Sequence, residues 1–519
     1  MRFNKLLFSC VLAVAITAPT TVIEAQNSDR DALAKHVLLI SVDGMHALDL
    51  NNYIASHPGS TLAALAKHGI KYDNASTALP SDSFPGLAAL ITGGTPATAG
   101  LWYDVSYNRT LAPPNVTTPY GVASGPCPGP VGTITEFDES IDTDYTKLDG
   151  GGGINPDYLP RDPVTCKPIY PHDYLRVNTI FNVAKRAGLY TAWSDKHPAY
   201  EWVGGHSGDG LNDFYGPEIN SVPVNLPSVA GCNPLPDPAN ATPSNAWTDS
   251  IQNIMCYDTL KVQAVVNWID GKTHDGSGTA PIPNLFGMNF QAVSVGQKLN
   301  NNGYTDAVGT PSAGLLSELD FVDQALGQFV AHLKAAHVYD KTVIIVGAKH
   351  GQSPMDVSKR QAIPGSTPQT IVGSAYAFDI SDDASLIWLN DQSMTQSVVD
   401  TLSTPASQAA LGIQEIFALN AMKTKFADPT VDSHAPDIYL KTNTGVIFTG
   451  GSKIAEHGGI NEDDVHVALL VSNPHFASQS VKTAVSNQQV APTILEILGL
   501  NPLALQAVQK EGTPVLPKF

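Results

Sequence analysis

Two apolar stretches of the chain have the composition of buried parallel strands. Residues 35–45 read KHVLLISVDGM and residues 342–351 read TVIIVGAKHG. Continuous apolar and β-branched runs of this length are typical of strands that are covered on both faces. The first run ends on Asp43, and the second ends on Lys349 and His350. Since ligands bind beyond the carboxyl ends of strands in open α/β sheets, the two runs predict polar groups at one edge of such a sheet.

A serine at the start of a predicted helix is the second informative feature. In the segment LPSDSFPGLAALITGG, Ser83 comes shortly before Pro85, which suits a first helical turn, and before an apolar helix face. A serine in this position is often only an N-cap. A helix N-terminus also binds anions and lowers the energy of an alkoxide, so Ser83 is also a candidate nucleophile for phosphate or sulfate esters.

Two further segments have polar residues beside strand-like runs. His457 lies in AEHGG, shortly before the apolar run at residues 465–471. Lys196 and His197 follow a short apolar run at residues 189–192. The same strand-end argument makes Lys196 and His197 candidate substrate-binding residues, although a solvated loop is the alternative interpretation of this segment.

Taken in order, these segments resemble the alkaline phosphatase superfamily, and within it the type I phosphodiesterase and nucleotide pyrophosphatase branch. The resemblance runs from about residue 35 to residue 500. Asp43 matches the metal-binding aspartate at a strand end of the family, and Ser83, followed by Phe-Pro, matches its serine or threonine nucleophile. His350 matches the histidine of an Asp-His-Gly element, and His457 matches the histidine of a final His-Gly element.

The resemblance implies an α/β fold with a mostly parallel, doubly wound sheet, helices on both faces, and a smaller sheet-containing subdomain. We expect the catalytic domain at residues 35–505, with Gly/Pro-rich loop insertions at about 112–171 and 204–283. The smaller subdomain is expected at about residues 360–450, where strand-like pieces recur.

Several positions depart from the family pattern. The family binds two metal ions with three aspartates and three histidines. Lys349 stands at the aspartate of the Asp-His-Gly element, and Val293 and Gln297 stand at a paired aspartate and histidine. Tyr103 or Asp104 stands where an asparagine usually holds a phosphoryl oxygen. By this alignment, Tyr103 and Gln297 are candidate substrate-binding residues.

The charge of Lys349 argues against a two-zinc site. A lysine ammonium about 4 Å from a dication is repelled by roughly 8 kcal/mol at an effective dielectric constant of about 20. Our preferred hypothesis is that Lys349 replaces one ion and stabilises the Ser83 alkoxide, or takes its proton, while Asp43 orients Lys349 or His350. The alternative is one divalent ion, zinc or calcium, bound by Asp43, His350 and His457.

These features predict a hydrolase that works in two steps. Ser83 would attack a phosphate ester with help from Lys349 and His350, and water would then hydrolyse the covalent intermediate. His457, with Gln297 or Lys196 nearby, would protonate the leaving group or activate the water.

Other substrate classes are open, and so is the alternative that the protein is not an enzyme. The resemblance favours phosphodiesters or nucleotide pyrophosphates, while sulfate, phosphonate and carboxylic esters remain open. The other alternative is a secreted protein that keeps the fold and binds its ligand without catalysis. A protein that had lost catalysis would be expected to have lost metal-binding residues, as this sequence has.

The N-terminus and the cysteines predict export. Residues 1–25 combine basic residues, an apolar run and a small-residue end, which is typical of a secretory signal peptide. The four later cysteines fit two disulfides in an oxidising compartment, and we predict the pairs Cys127 with Cys166 and Cys232 with Cys256, one of three possible connectivities. The mature protein is therefore expected to be secreted or periplasmic.

Composition also restricts the partners. The formal net charge is -19, and the chain has no basic runs with which to neutralise a nucleic acid polymer. No segment after the signal peptide is long and apolar enough to span a membrane. A small-molecule ester is the expected substrate.

Overall fold

The computed structural model describes residues 32–221 and 247–519. The predicted signal peptide at residues 1–25 and Cys232 therefore lie outside the described residues, and the predicted pairing of Cys232 with Cys256 stays a prediction. Cys127 and Cys166 form the predicted disulfide, with their Cα atoms 5.7 Å apart.

The described strands belong to one large sheet and several small ones. In chain order they are β1 (His36–Val42), β2 (Gly69–Tyr72), β3 (Ala75–Ser76), β4 (Val105–Asn108), β5 (Thr133–Glu136), β6 (Thr191–Ser194), β7 (Asp213–Tyr215), β8 (Leu285–Phe290), β9 (Thr342–Gly347), β10 (Gln361–Ile363), β11 (Tyr376–Ser381), β12 (Ser385–Leu389), β13 (Ile413–Ala418), β14 (Ile438–Thr442), β15 (Val446–Phe448), β16 (Leu469–Ser472), β17 (Gln479–Val481) and β18 (Val485–Ser486).

The described α-helices surround these sheets. In chain order they are α1 (Ala47–Ser56), α2 (Thr61–Lys67), α3 (Ser83–Thr92), α4 (Pro96–Ala99), α5 (Pro171–Tyr174), α6 (Ile180–Arg186), α7 (Ile251–Ile269), α8 (Ala292–Lys298), α9 (Ala313–Ala335), α10 (Thr367–Val372), α11 (Thr395–Leu402), α12 (Pro405–Leu411), α13 (Leu419–Lys425), α14 (Glu462–Val465), α15 (Val490–Ile497) and α16 (Gln506–Glu511).

The central sheet is mostly parallel, as predicted. Its eight strands lie in the order β17-β2-β16-β9-β1-β8-β6-β7. The central strand β1 pairs in parallel with both β8 and β9, and β6 pairs in parallel with β8 and β7. The strand β16 is antiparallel to β9 and β2. The carboxyl ends of β1, β6 and β9 therefore lie at the same edge of the sheet.

Both faces of this sheet are covered by helices, which explains why β1 is apolar throughout. Val37 and Leu39 pack in one core cluster with residues of α3, α6 and α15. Leu38 and Ile40 point to the opposite face and pack with residues of α7 and α9. Alternate side chains of a strand point to opposite faces, so an all-apolar sequence is what two buried faces require.

A second, smaller sheet lies within the region predicted for the subdomain. Its four strands are antiparallel in the order β11-β12-β14-β13 and have their own apolar cluster with residues of α10, α11 and α12. The proposed domain boundaries at residues 35–505 and 360–450 stay predictions.

Among the described helices, none combines the length with the apolar composition needed to cross a bilayer.

The close packing of the central strands predicts a strong effect of a single added methyl group. A Cβ atom at Gly287 in β8 would lie 1.8 Å from the carbonyl oxygen of Leu39 in β1 and 2.7 Å from a ring carbon of Trp193. We expect Gly287→Ala to lower the free energy of unfolding by about 3 kcal/mol, because the strands must separate. Urea denaturation measures this change.

The matched control is Gly347→Ala in β9, which pairs with the other edge of β1. Its Cβ atom would lie 3.4 Å from the nearest atom, which is ordinary van der Waals contact. This variant should unfold within about 1 kcal/mol of the wild type. Equal stability of the two variants would show that the packing between β1 and β8 is looser than described.

Candidate active site

Three strand ends and one helix start converge at the edge of the central sheet. Asp43 follows β1, Asp195 and Lys196 follow β6, and Lys349 follows β9 by two residues. Ser83 is the first residue of α3. The prediction that these strand ends deliver polar groups to one edge is therefore confirmed by the sheet order.

Ser83 begins the helix but does not cap it. The N-cap is Asp82, whose carboxylate accepts a hydrogen bond of 3.0 Å from the backbone N–H of Phe84. The hydroxyl of Ser83 therefore has other partners. The Nζ atom of Lys196 donates to Ser83 Oγ at 3.0 Å, and the Nε2 atom of His350 lies 3.4 Å from the same oxygen.

The ammonium group next to Ser83 thus belongs to Lys196, which corrects the prediction that Lys349 supplies it. The Nζ atom of Lys349 instead donates to the two carboxylate oxygens of Asp195, at 3.0 and 3.2 Å. Asp195 is held in position by the indole N–H of Trp193 at 3.0 Å and by the backbone N–H of Lys196 at 2.9 Å. A fixed carboxylate is a stronger partner for a buried ammonium than a neutral hydroxyl.

Lys349 is completely buried. Besides Asp195, its ammonium lies 3.6 Å from a carboxylate oxygen of Asp43 and 4.5 Å from the ring centre of Tyr200. A buried cation is costly unless opposite charges and an aromatic face compensate it. Lys349 therefore forms an ionic centre with two carboxylates beneath the Ser83 hydroxyl.

Asp43 remains ionised in this centre. Burial alone would raise the pKa of Asp43, but the positive charge of Lys349 and hydrogen bonding lower it to about 2. Asp43 accepts hydrogen bonds from Asn289 at 3.1 Å and from the side-chain amide of Gln291. Its oxygen lies 3.8 Å from His350 Nε2.

His350 has the orientation of a base. Its Nδ1 atom donates to the carbonyl oxygen of Gly351 at 2.8 Å, so the proton of the neutral ring is on Nδ1 and the lone pair of Nε2 faces Ser83. Burial lowers the pKa of His350 to about 4, although the charge of Asp43 acts in the opposite direction. The imidazole is therefore neutral near pH 7.

Lys196 remains charged. Burial alone would lower the pKa of Lys196, but the carboxylates of Asp43, Asp104 and Asp82 raise it above its ordinary value. Lys196 is partly exposed, while Ser83 is completely buried. Lys196 is therefore a partly exposed contact of an otherwise buried hydroxyl.

His457 lies beside His350, with ring centres 4.1 Å apart. Burial and the charge of Lys298 lower the pKa of His457 well below its ordinary range. The Nδ1 atom of His457 and the Oδ1 atom of Asp82 lie 3.7 Å apart, and neither has a hydrogen-bond partner among the described residues. Burial and the nearby Asp104 raise the pKa of Asp82 well above its usual value. Sequence reasoning missed Asp82, although an aspartate before a helix start is an N-cap signal.

Three predicted substrate-binding residues are engaged with other protein groups. The hydroxyl of Tyr103 donates to Asp382 at 2.7 Å and lies 3.2 Å from the carbonyl oxygen of His457, so it borders the site.

The side-chain amide of Gln297 donates to the carbonyl oxygen of Gly44 at 3.0 Å and to a tyrosine hydroxyl. His197 faces Glu218. A role of these residues in substrate binding stays a prediction.

The residues present do not fit the two-metal centre of the family. Lys349 Nζ lies against Asp43, and Lys196 Nζ lies against Ser83, where two dications would meet strong repulsion. Val293 has no ligand atom, and the amide of Gln297 is engaged by neutral partners.

A single ion on Asp43, His350 and His457 is also disfavoured. Asp43 already accepts several hydrogen bonds, and Lys349 lies 3.6 Å away. In the described ranges, potential ligand atoms lie within 4.8 Å of one another in two other groups. These groups are Asp382, Glu456 and His457, and Glu139, His197 and Glu218.

Comparisons with known proteins agree with this fold. A family model described as type I phosphodiesterase/nucleotide pyrophosphatase matches residues 37–463. The structure is similar to murine ectonucleotide pyrophosphatase/phosphodiesterase 5, with a TM-score of 0.56 and 16% identity over 90% of this chain and 96% of that chain. An inactive variant of the murine protein in complex with AMP has a TM-score of 0.57 and 15% identity over the same shares.

A second structural relative comes from the alkaline phosphatases. Wild-type alkaline phosphatase PafA has a TM-score of 0.57 and 13% identity over 90% of this chain and 96% of that chain. No curated protein sequence matches the chain. Identities at this level show the fold alone, whereas the family model covers most of the sequence. The chain therefore belongs to the type I phosphodiesterase and nucleotide pyrophosphatase family of phosphate ester hydrolases.

Proposed function

We propose that this protein hydrolyses small phosphodiesters or nucleotide pyrophosphates through a covalent Ser83 intermediate, with lysine ammonium groups in place of metal ions. One observation carries the proposal: Ser83 Oγ lies between the neutral Nε2 atom of His350 at 3.4 Å and the ammonium of Lys196 at 3.0 Å. A nucleophile between a base and a cation is the arrangement that covalent ester hydrolysis requires.

In the first step, Ser83 Oγ attacks phosphorus while its proton moves to His350 Nε2. The bond from phosphorus to the leaving oxygen breaks, and His350 passes the proton that it took from Ser83 to the departing alcohol or phosphate. Lys196 stabilises the alkoxide and then the negative charge on the phosphoryl oxygens, together with the backbone N–H groups at the start of α3. In the second step, a water molecule attacks phosphorus and gives a proton to His350, the bond from phosphorus to Ser83 Oγ breaks, and His350 returns the proton to Ser83.

Lys349 has a positioning role in this proposal. Its ammonium contacts Asp195 and Asp43, which in turn lie beside Lys196 and His350. Lys349 holds both carboxylates in place, and its charge keeps Asp43 ionised, without touching the reacting oxygen. The positive charge that the family supplies with metals is thus divided between one structural and one reacting ammonium.

The substrate must reach a hydroxyl that is 0% exposed. We propose that the Lys196 ammonium moves from Ser83 to a phosphate oxygen when the substrate binds, because Lys196 is the partly exposed group in contact with the hydroxyl. An ester of a nucleoside monophosphate fits this proposal as a substrate, since the structure of a variant of the murine relative was solved in complex with AMP.

We also propose that the protein is exported. The disulfide between Cys127 and Cys166 supports a secreted or periplasmic location, because such bonds persist in oxidising compartments.

The competing function is ligand binding without turnover. The burial of Ser83 and the loss of three aligned metal ligands favour it. A panel of p-nitrophenyl esters distinguishes the possibilities: bis-p-nitrophenyl phosphate, p-nitrophenyl phosphate, phenylphosphonate, sulfate and acetate. Turnover of the diester supports our proposal, turnover of another ester reassigns the substrate, and AMP binding with no turnover supports the competing function.

Removal of the nucleophile should abolish turnover. We expect Ser83→Ala to lower kcat with bis-p-nitrophenyl phosphate by about 10³-fold or more, because the covalent route is lost. Initial rates measure this change. The control is Ser81→Ala, which removes a buried hydroxyl that donates to the backbone carbonyl of Asp464. Wild-type rates in Ser83→Ala would refute the nucleophile assignment.

Substitution of Lys196 should lower the rate of turnover, whereas substitution of Lys349 should lower the stability of the fold. Lys196→Met should lower kcat by about 10²-fold to 10³-fold, as expected when a donor to a developing oxyanion is lost. Lys349→Met should lower the free energy of unfolding by about 3–5 kcal/mol, because Asp195 and Asp43 lose their buried counter-ion.

Steady-state kinetics and urea denaturation separate these effects. Lys185→Met is the control for both, because its ammonium donates to the carbonyl oxygen of Leu211 at 2.8 Å, outside the site. Normal kcat in Lys196→Met, or normal stability in Lys349→Met, would contradict the division of roles.

The pH dependence of kcat/KM should reflect the protonation of the buried His350. His350 must be neutral to accept the Ser83 proton, and burial lowers its pKa to about 4. We expect kcat/KM to stay constant from pH 7 to about pH 5 and to fall as the pH decreases through about 4, where His350 becomes protonated. An acid limb centred near pH 6.5 would show that the base is a solvated histidine.

A further inference from the structure

We propose that a buried cluster beside the site, formed by Glu139, His197, Glu218 and Asp142, binds a divalent zinc ion. The cluster lies outside the residues that the proposed reaction uses. Glu139 and Asp142 come from the first predicted insertion, Glu218 comes from the second, and His197 follows Lys196. The potential ligand atoms of Glu139, His197 and Glu218 all lie within 4.8 Å of one another.

The geometry of His197 and Glu218 suits a shared ion. The Nδ1 atom of His197 lies 2.8 and 3.0 Å from the two carboxylate oxygens of Glu218. Ligand atoms around a tetrahedral zinc ion lie about 3.3 Å apart, because each lies about 2.0–2.1 Å from the metal. A small outward movement of two side chains would therefore admit the ion between them.

Asp142 supplies an independent indication of a missing cation. It is 1% exposed, and both of its carboxylate oxygens lack a hydrogen-bond partner within the described ranges. Its carboxylate lies within hydrogen-bonding reach of that of Glu218, so the two groups must share either a proton or a cation. A buried carboxylate without a partner is unfavourable, and a cation between the two groups removes this cost.

No compensating lysine or arginine contacts this cluster in the part of the chain that the structure describes. Its ion pair is that of His197 with Glu218, while Lys196 points to Ser83.

The second cluster, at Asp382, Glu456 and His457, differs in this respect. Glu456 lies 2.7 Å from the ammonium of Lys298 and also contacts the ammonium of Lys453. Two cations already neutralise it, so it has no need of a metal ion. It therefore provides a matched control for the test.

Zinc is favoured over calcium by the ligand types. Glu139, His197 and Glu218 offer one imidazole and two carboxylates, and Asp142 lies beside Glu218. A mixed nitrogen and oxygen set suits four-coordinate zinc, whereas calcium takes six to eight oxygen ligands. The ion would connect both insertions to the end of β6. Because the backbone N–H of Ile219 donates to the carbonyl oxygen of Lys196 at 3.0 Å, it would also fix the segment that presents Lys196.

Zinc binding by the full chain tests the proposal. The purified protein is stripped with a chelator, dialysed and titrated with zinc, and bound zinc is measured by plasma mass spectrometry. We expect one zinc per chain and a rise in Tm of about 3 °C at saturating zinc. The variants Glu218→Gln and Asp142→Asn should weaken zinc binding by about 10²-fold or more, while Glu456→Gln should bind normally.

The other outcomes identify which idea fails. Absence of zinc binding with an unchanged Tm would overturn the cluster assignment in favour of carboxyl groups that share a proton, and would leave the Ser83 proposal untouched. Calcium binding in preference to zinc would overturn the choice of metal. Zinc that is retained in Glu218→Gln but lost in Asp43→Asn would overturn both this inference and the metal-free mechanism.

Discussion

The buried ion pair of Lys349 with Asp195 and Asp43 is the interaction on which the site depends. Its three members come from the ends of β9, β6 and β1, and all are completely buried. An isolated charge in such surroundings would destabilise the fold by several kcal/mol, so each carboxylate requires the ammonium of Lys349, and the ammonium requires the carboxylates. The pairing fixes the relative positions of these strand ends. Lys196 and His350 directly follow Asp195 and Lys349, so the same pairing sets the positions of the groups that contact Ser83.

The sequence predicted the central sheet and the set of residues at its edge because both depend on local pattern. A short apolar, β-branched run that ends on Asp and Gly favours an interior strand, and alternate side chains of β1 do pack into two different cores. Strand ends and a helix start then define where Asp43, Ser83 and Lys349 must lie. The predicted disulfide of Cys127 with Cys166, which was one of three possible connectivities, is confirmed as well.

The assignment of each lysine to its partner could not be predicted from the sequence. Lys196 and Lys349 both follow strands, and either could have reached the Ser83 hydroxyl. The outcome depends on Asp195, whose carboxylate is oriented by the indole of Trp193 and lies within reach of Lys349. Such contacts depend on side-chain packing across neighbouring strands, so the local composition of the sequence does not predict them. For the same reason, the partners of Gln297 were not foreseen.

The account makes ammonium groups the source of positive charge at Ser83, and one diffraction measurement tests this most directly. Anomalous difference maps would be calculated for crystals of the full chain grown with excess zinc, from data collected just above the zinc absorption edge. The account predicts no anomalous peak between Ser83 Oγ and Asp43, with continuous side-chain density for Lys196 and Lys349 in that region. A strong peak between those two residues, with either lysine displaced, would contradict it.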